Sequence, residues 1–148
     1  MVKKTLLIIL LSLISIVNAQ ISKNLIWHSS IEKAIKKAVK ENKKTLVYFS
    51  GSDWCKPCIE LKNEVFSTNL FKEKAEKDFV LVNIDFVLDR KKLSKETLTY
   101  MEKSAEKYNK KGSFPLVVIL DNNGKVVSSV NGYKSETASY YIENYLNL

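Results

Sequence analysis

Apolar residues along this chain follow two rhythms, unbroken runs and three-to-four spacings, and the two alternate. Thr45-Leu46-Val47-Tyr48-Phe49, Phe79-Val80-Leu81-Val82-Asn83-Ile84 and Leu116-Val117-Val118-Ile119-Leu120 are β-branched and aromatic stretches. Such runs suit strands buried on both faces. Ile31, Ala34, Ile35, Ala38 and Val39 instead mark one helical face that extends to about Glu41, with Ser29 or Ser30 as N-cap. Asn42-Lys43-Lys44 ends that helix. Ile59, Leu61, Val65 and Phe66 predict a second helix, and the chain from about Asn69 to Lys77 predicts a third. Segment 86–111 carries the weakest pattern. Within it, Ser94 is placed to cap a helix bearing Leu98, Met101, Ala105 and Tyr108.

The ends of the pattern are shorter. Leu25-Ile26-Trp27 predicts a brief edge strand, and Asp121-Asn122-Asn123-Gly124 predicts a hairpin turn into a returning strand over Lys125–Val130. Gly132 breaks that strand, and Ser135 is expected to open a terminal helix with Ala138, Tyr141, Ile142 and Tyr145 inward. Strands alternating with helices and closing in a hairpin predict an α/β domain: a central mixed sheet flanked by helices on both faces. No internal repeat, low-complexity tract or interdomain linker interrupts the order.

Residues 1–19 follow neither rhythm. Lys3 and Lys4 precede an apolar run from Leu6 to Val17 that ends in Asn18-Ala19, the layout of a secretory signal peptide. The run is shorter than the roughly 20 residues a spanning helix needs, so membrane contact is expected only if the segment is retained. No cysteine follows it to accept a lipid. The expectation is therefore an exported protein, periplasmic or secreted, with residues 20–148 as one domain. Removing Lys3 and Lys4 lowers the formal charge from +8 to +6. All the cations but Arg90 are lysines, interspersed with glutamate at helical spacing, which is a solvated surface. Nucleic-acid readers depend on arginine forks, so no nucleic-acid partner is expected.

Export changes the meaning of the only two cysteines, Cys55 and Cys58, because disulfides persist outside the cytosol. A cross-link closing so short a loop adds little stability. Structural zinc needs four ligands, and two cysteines with His28 do not supply them. Haem attachment needs His after the second cysteine, where Ile59 stands. No cofactor or metal is therefore expected, and His28 is assigned no catalytic part. The pair is better suited to chemistry. Two residues between cysteines at a strand-to-helix junction put both sulfurs on the first helical turn, the first near free N–H groups that favour a thiolate. Lys56 adds positive charge beside Cys55 and Asp53 opposes it, while Pro57 suits the first turn, where an N–H is not needed. Trp54 offers an apolar rim for a docking peptide.

Trp54-Cys55-Lys56-Pro57-Cys58 after an apolar strand, with Phe114-Pro115 entering a later one, resembles the thioredoxin fold. More narrowly, the stretch from Tyr48 to Cys58, with Glu64-Val65-Phe66 and Val80–Asp85, is similar to exported thioredoxin-like proteins and to the periplasmic C-terminal domain of membrane thiol:disulfide interchange reductases. The resemblance implies a thiol-disulfide oxidoreductase in which Cys55 is the nucleophile and Cys58 resolves, with the reductase or isomerase direction favoured. It implies a cis Pro115 against the cysteines and Phe114 backbone as a docking edge. It implies disulfide-containing exported proteins as substrates, and a membrane or periplasmic thiol as electron donor. Two departures stand out. Tyr48 occupies the position of the family's buried acid, leaving Glu64 or a water to assist the second cysteine, and the segment from Asp85 to Pro115 is longer than in a minimal thioredoxin. A thioredoxin-fold peptide-binding or chaperone-like module with an idle disulfide is the alternative.

Overall fold

The three apolar runs become the centre of one five-stranded sheet in the computed structural model, which describes residues 24–147. The leader expected over residues 1–19 lies outside the described residues. The strands are β1 (Trp27–His28), β2 (Lys44–Ser50), β3 (Phe79–Asp85), β4 (Leu116–Leu120) and β5 (Val126–Asn131), in the order β1-β3-β2-β4-β5. β1, β3 and β2 are parallel, while β4 runs antiparallel to β2 and β5 antiparallel to β4. β2 and β3 are joined through helices, as parallel neighbours require, and the Asn-Gly turn closes the β4–β5 hairpin.

Five helices cover the sheet: α1 (Ile31–Glu41), α2 (Lys56–Leu61, continued by a π-helical turn over Lys62–Phe66), α3 (Asn69–Asp78), α4 (Lys95–Tyr108) and α5 (Ala138–Tyr141, continued by a π-helical turn over Ile142–Leu146). Side-chain oxygens of Ser30, Thr68, Ser94 and Thr137 accept the orphan N–H groups at the starts of α1, α3, α4 and α5. One sheet face packs Leu46, Tyr48, Leu81, Val117 and Ile119 against α2, α3 and α5. The other packs Val47, Phe49, Val82, Val118 and Leu120 against α1 and α4. Each fully buried Val, Leu or Phe contributes about 1.5–3 kcal/mol, so the central strands form a rigid platform. Among the described residues no helix is long and apolar enough to cross a membrane.

The terminal helix differs from its expected start. Ser135 sits at φ 60° in the left-handed region, and Thr137, not Ser135, caps the helix. The Tyr133 hydroxyl accounts for this by lying 2.8 Å from the Glu136 carbonyl oxygen, while the Glu136 carboxylate accepts the Lys134 N–H at 2.8 Å. Residues 133–136 are thereby held as a turn. Val39, expected on the apolar face of α1, is half exposed. The first edge strand lies at Trp27–His28, displaced toward the C-terminus from the expected Leu25–Trp27. At the opposite edge, a register shift at Ile119/Leu120 interrupts the β4–β5 ladder beside the exposed Val126 and Val127.

Candidate active site

β2 ends at Ser50, and the turn Gly51–Asp53 delivers Cys55 as the N-cap of α2. The Cys55 N–H donates to the Gly51 carbonyl at 2.8 Å, and the N–H groups of Cys58 and Ile59 donate to the Cys55 carbonyl at 3.0 and 3.1 Å. This places both cysteines on the first turn, where they are joined as a disulfide with Cα atoms 5.2 Å apart. Cys55 is 5% exposed and Cys58 1%, so the first cysteine is the outer one. Pro57 stands in the first turn. The Lys56 ammonium reaches Glu60 Oε1 at 3.6 Å and is largely solvated. The Asp53 carboxylate accepts the Leu88 N–H at 3.0 and 3.2 Å, which ties the motif to the segment after β3.

An aromatic wall rises beside the disulfide. The Trp54 indole N–H donates to the Phe86 carbonyl at 2.6 Å, and its ring meets Phe114 edge-on, with centroids 5.4 Å apart. Phe114 in turn meets Phe86 at 5.3 Å. The Phe114–Pro115 bond is cis, as the resemblance implies, and Pro115 is buried at the start of β4. Trp54 remains 44% exposed and Leu88 70%, so the wall presents an apolar surface to solvent. The structure thus brings Trp54 and Phe114 together beside the motif, with Phe114 packed against the cluster that holds the cysteines, while Asp53 and Lys56 engage Leu88 and Glu60.

Beneath the motif, the sheet face changes character toward its C-terminal end. Leu46 and Leu81 are paired across β2 and β3, then Tyr48 with Asn83, then Ser50 with Asp85, and alternation puts all of these on the α2 side. The Tyr48 hydroxyl donates to the Cys58 carbonyl at 2.9 Å. Burial pushes its pKa above the usual 10, and the Asp85 charge adds to the rise, so Tyr48 stays a neutral donor. Ser50 Oγ lies 2.7 Å from Asn83 Oδ1 and 3.1 Å from Asp85 Oδ1. The N–H and hydroxyl of Ser52 donate to the two Asp85 carboxylate oxygens at 2.8 and 2.5 Å. Tyr48, Ser50, Asn83, Asp85, Cys58 and Lys62 line a cavity of about 190 Å³. Sequence reasoning singled out neither Asn83 nor Asp85. The available signal was two polar residues at alternate positions closing an otherwise apolar strand.

Other candidates lie apart. Glu64 does not line that cavity, and its carboxylate lies 2.7 Å from the Tyr133 hydroxyl. His28 pairs with Val82 on edge strand β1. Among the described residues, no three His, Cys, Asp or Glu side chains gather to hold a metal ion.

Residues 31–145 match the family described as Thioredoxin-like domain. The chain is similar to the Disulfide bond reductase DsbH of Chlamydia pneumoniae, at 28% identity over 79% of this chain and 69% of that protein. It is also similar to the Thioredoxin-related protein DsbJ of the same organism, at 25% identity over 80% of this chain. The chain spans about a third of the length of DsbJ, 33%. A solved structure titled DsbH Oxidoreductase superimposes with a TM-score of 0.77 and 24% identity, covering 88% of each chain. That likeness establishes the fold.

Proposed function

Because the chain belongs to the Thioredoxin-like domain family, we propose that it is a thiol-disulfide oxidoreductase working through Cys55 and Cys58. The observation that carries this reading is the disulfide itself, a four-residue ring on the first turn of α2 beside an exposed apolar wall. So short a loop contributes little to stability. In the reducing direction the Cys55 thiolate attacks a substrate disulfide and expels one substrate thiolate. Cys58 then attacks Cys55 Sγ, expels the second and leaves Cys55–Cys58 oxidised. The greater exposure of Cys55 supports its assignment as nucleophile. Trp54 and Phe114 form the docking surface with Pro115, and Asp53, Lys56 and Pro57 set the conformation and charge around the motif.

The reductase or isomerase direction is favoured, and the relative named as a disulfide bond reductase supports it. We assign residues 1–19 as a signal peptide and the mature protein to the periplasm or the exterior. Its substrates there are disulfide-containing exported proteins, and a membrane or periplasmic thiol returns the electrons. Expression of a Cys58→Ser variant is expected to trap exported proteins as mixed disulfides on Cys55, visible on non-reducing gels, while Cys55→Ser traps none. If neither variant forms adducts and the wild type reduces no disulfide, the chain is a peptide-binding module.

A further inference from the structure

Asp85 is half-buried at the polar end of the α2-side sheet face, where it accepts hydrogen bonds from Ser50 and from both donors of Ser52. The same cavity is lined by Cys58, the less exposed cysteine. Buried in this way, Cys58 cannot hand its proton directly to bulk solvent. Yet the thiolate, not the thiol, is the attacking species. A cavity of about 190 Å³ far exceeds the 10–15 Å³ that one water needs, and its polar lining provides the partners such water requires. Tyr48, held by burial as a neutral phenol and donating to the Cys58 carbonyl, is not a base.

We infer that Asp85, acting through water in this cavity, takes the proton of Cys58 when the mixed disulfide is resolved. The inference rests on the dithiol reading above. The Cys58 thiol loses its proton to the Asp85 carboxylate, and the new thiolate attacks Cys55 Sγ. The Cys55–Cys58 bond forms, the Cys55–substrate bond breaks, and the electron pair leaves on the substrate sulfur. The substrate is reduced by two electrons, the dithiol is oxidised, and Asp85 releases its proton to solvent. The charged and titratable groups facing Asp85 are Tyr48 from β2 and Cys58 and Lys62 from α2, with Asp53 in the turn beyond. Asp85 acts through water and is therefore a positioning and relay residue.

Reduced protein mixed rapidly with 5,5′-dithiobis(2-nitrobenzoate) releases one coloured thiolate when Cys55 attacks and a second when Cys58 resolves. In Asp85→Asn the first phase is expected to stay within about twofold of wild type. The second is expected to slow by about 10²-fold at neutral pH, the size of a lost general base, and to rise in proportion to hydroxide. Asp85→Glu is expected to restore the second phase. A second phase with the wild-type rate and pH profile in Asp85→Asn, equal slowing of both phases, or no recovery in Asp85→Glu overturns the relay. A wild-type protein that releases no second thiolate overturns the dithiol reading as well.

Discussion

Gly51 admits no side chain, because a Cβ there would overlap the Trp54 indole. Its lack of one lets the ring lie back, donate to Phe86 and meet Phe114. Gly51→Ala is therefore expected to expel the ring, changing tryptophan emission and lowering kcat/KM for a disulfide-linked peptide, by up to about 10²-fold as for other misplaced contact groups. A fluorescence titration with such a peptide, run beside the reduction assay, measures both. Tyr48 poses a separate question, since its hydroxyl satisfies the Cys58 carbonyl within the core. Tyr48→Phe removes that bond, while the same oxygen keeps the Lys62 N–H, and is expected to cost about 0.5–1.5 kcal/mol, read as a lower urea midpoint at unchanged slope.

At the level of elements, the motif is braced from two sides: its helix stands on the sheet, and its turn is tied to the segment after β3. Asp53 makes that tie through the Leu88 N–H. Asp53→Ala is expected to raise amide exchange across residues 86–92 while leaving exchange in β2 and β3 unchanged. Removal of the Thr137 cap in Thr137→Ala is expected to cost about 1 kcal/mol, seen in thermal unfolding. The strands and the cysteine junction were legible in the chain, because uninterrupted apolar runs and a Cys-x-x-Cys after one of them are local signals. The start of α5 was not. Ser135 offers a hydroxyl at a suitable place, but Tyr133 reaches past it to Glu136 and holds the backbone as a turn. Asp85 was hidden for a related reason: it closes an apolar run, and only strand pairing with Ser50 turns it into a member of the site.

Across the whole molecule, one face of the sheet carries a tyrosine-rich core. Burial raises the pKa of Tyr48, Tyr133 and Tyr141 above 10, with Glu64 next for Tyr133 and Glu136 next for Tyr141. A phenol whose folded pKa lies above its unfolded value contributes stability that is fully present below pH 10 and is lost as pH rises toward the folded value. The oxidised protein is therefore expected to hold a constant urea midpoint from neutral pH to about 10 and to lose stability above it. Tyrosinate absorbance should then appear together with unfolding, and early reversible ionisation of all three would contradict the burial. The interrupted β4–β5 ladder carries a different consequence. Val126 and Val127 are the apolar, exposed part of an open edge, and the register shift falls beside them. A bulge bends and twists the strand it interrupts, so the edge offers no flat template where it is stickiest. Straightening that irregularity would turn a self-limiting edge into a seed for intermolecular strand addition, detectable as concentration-dependent light scattering.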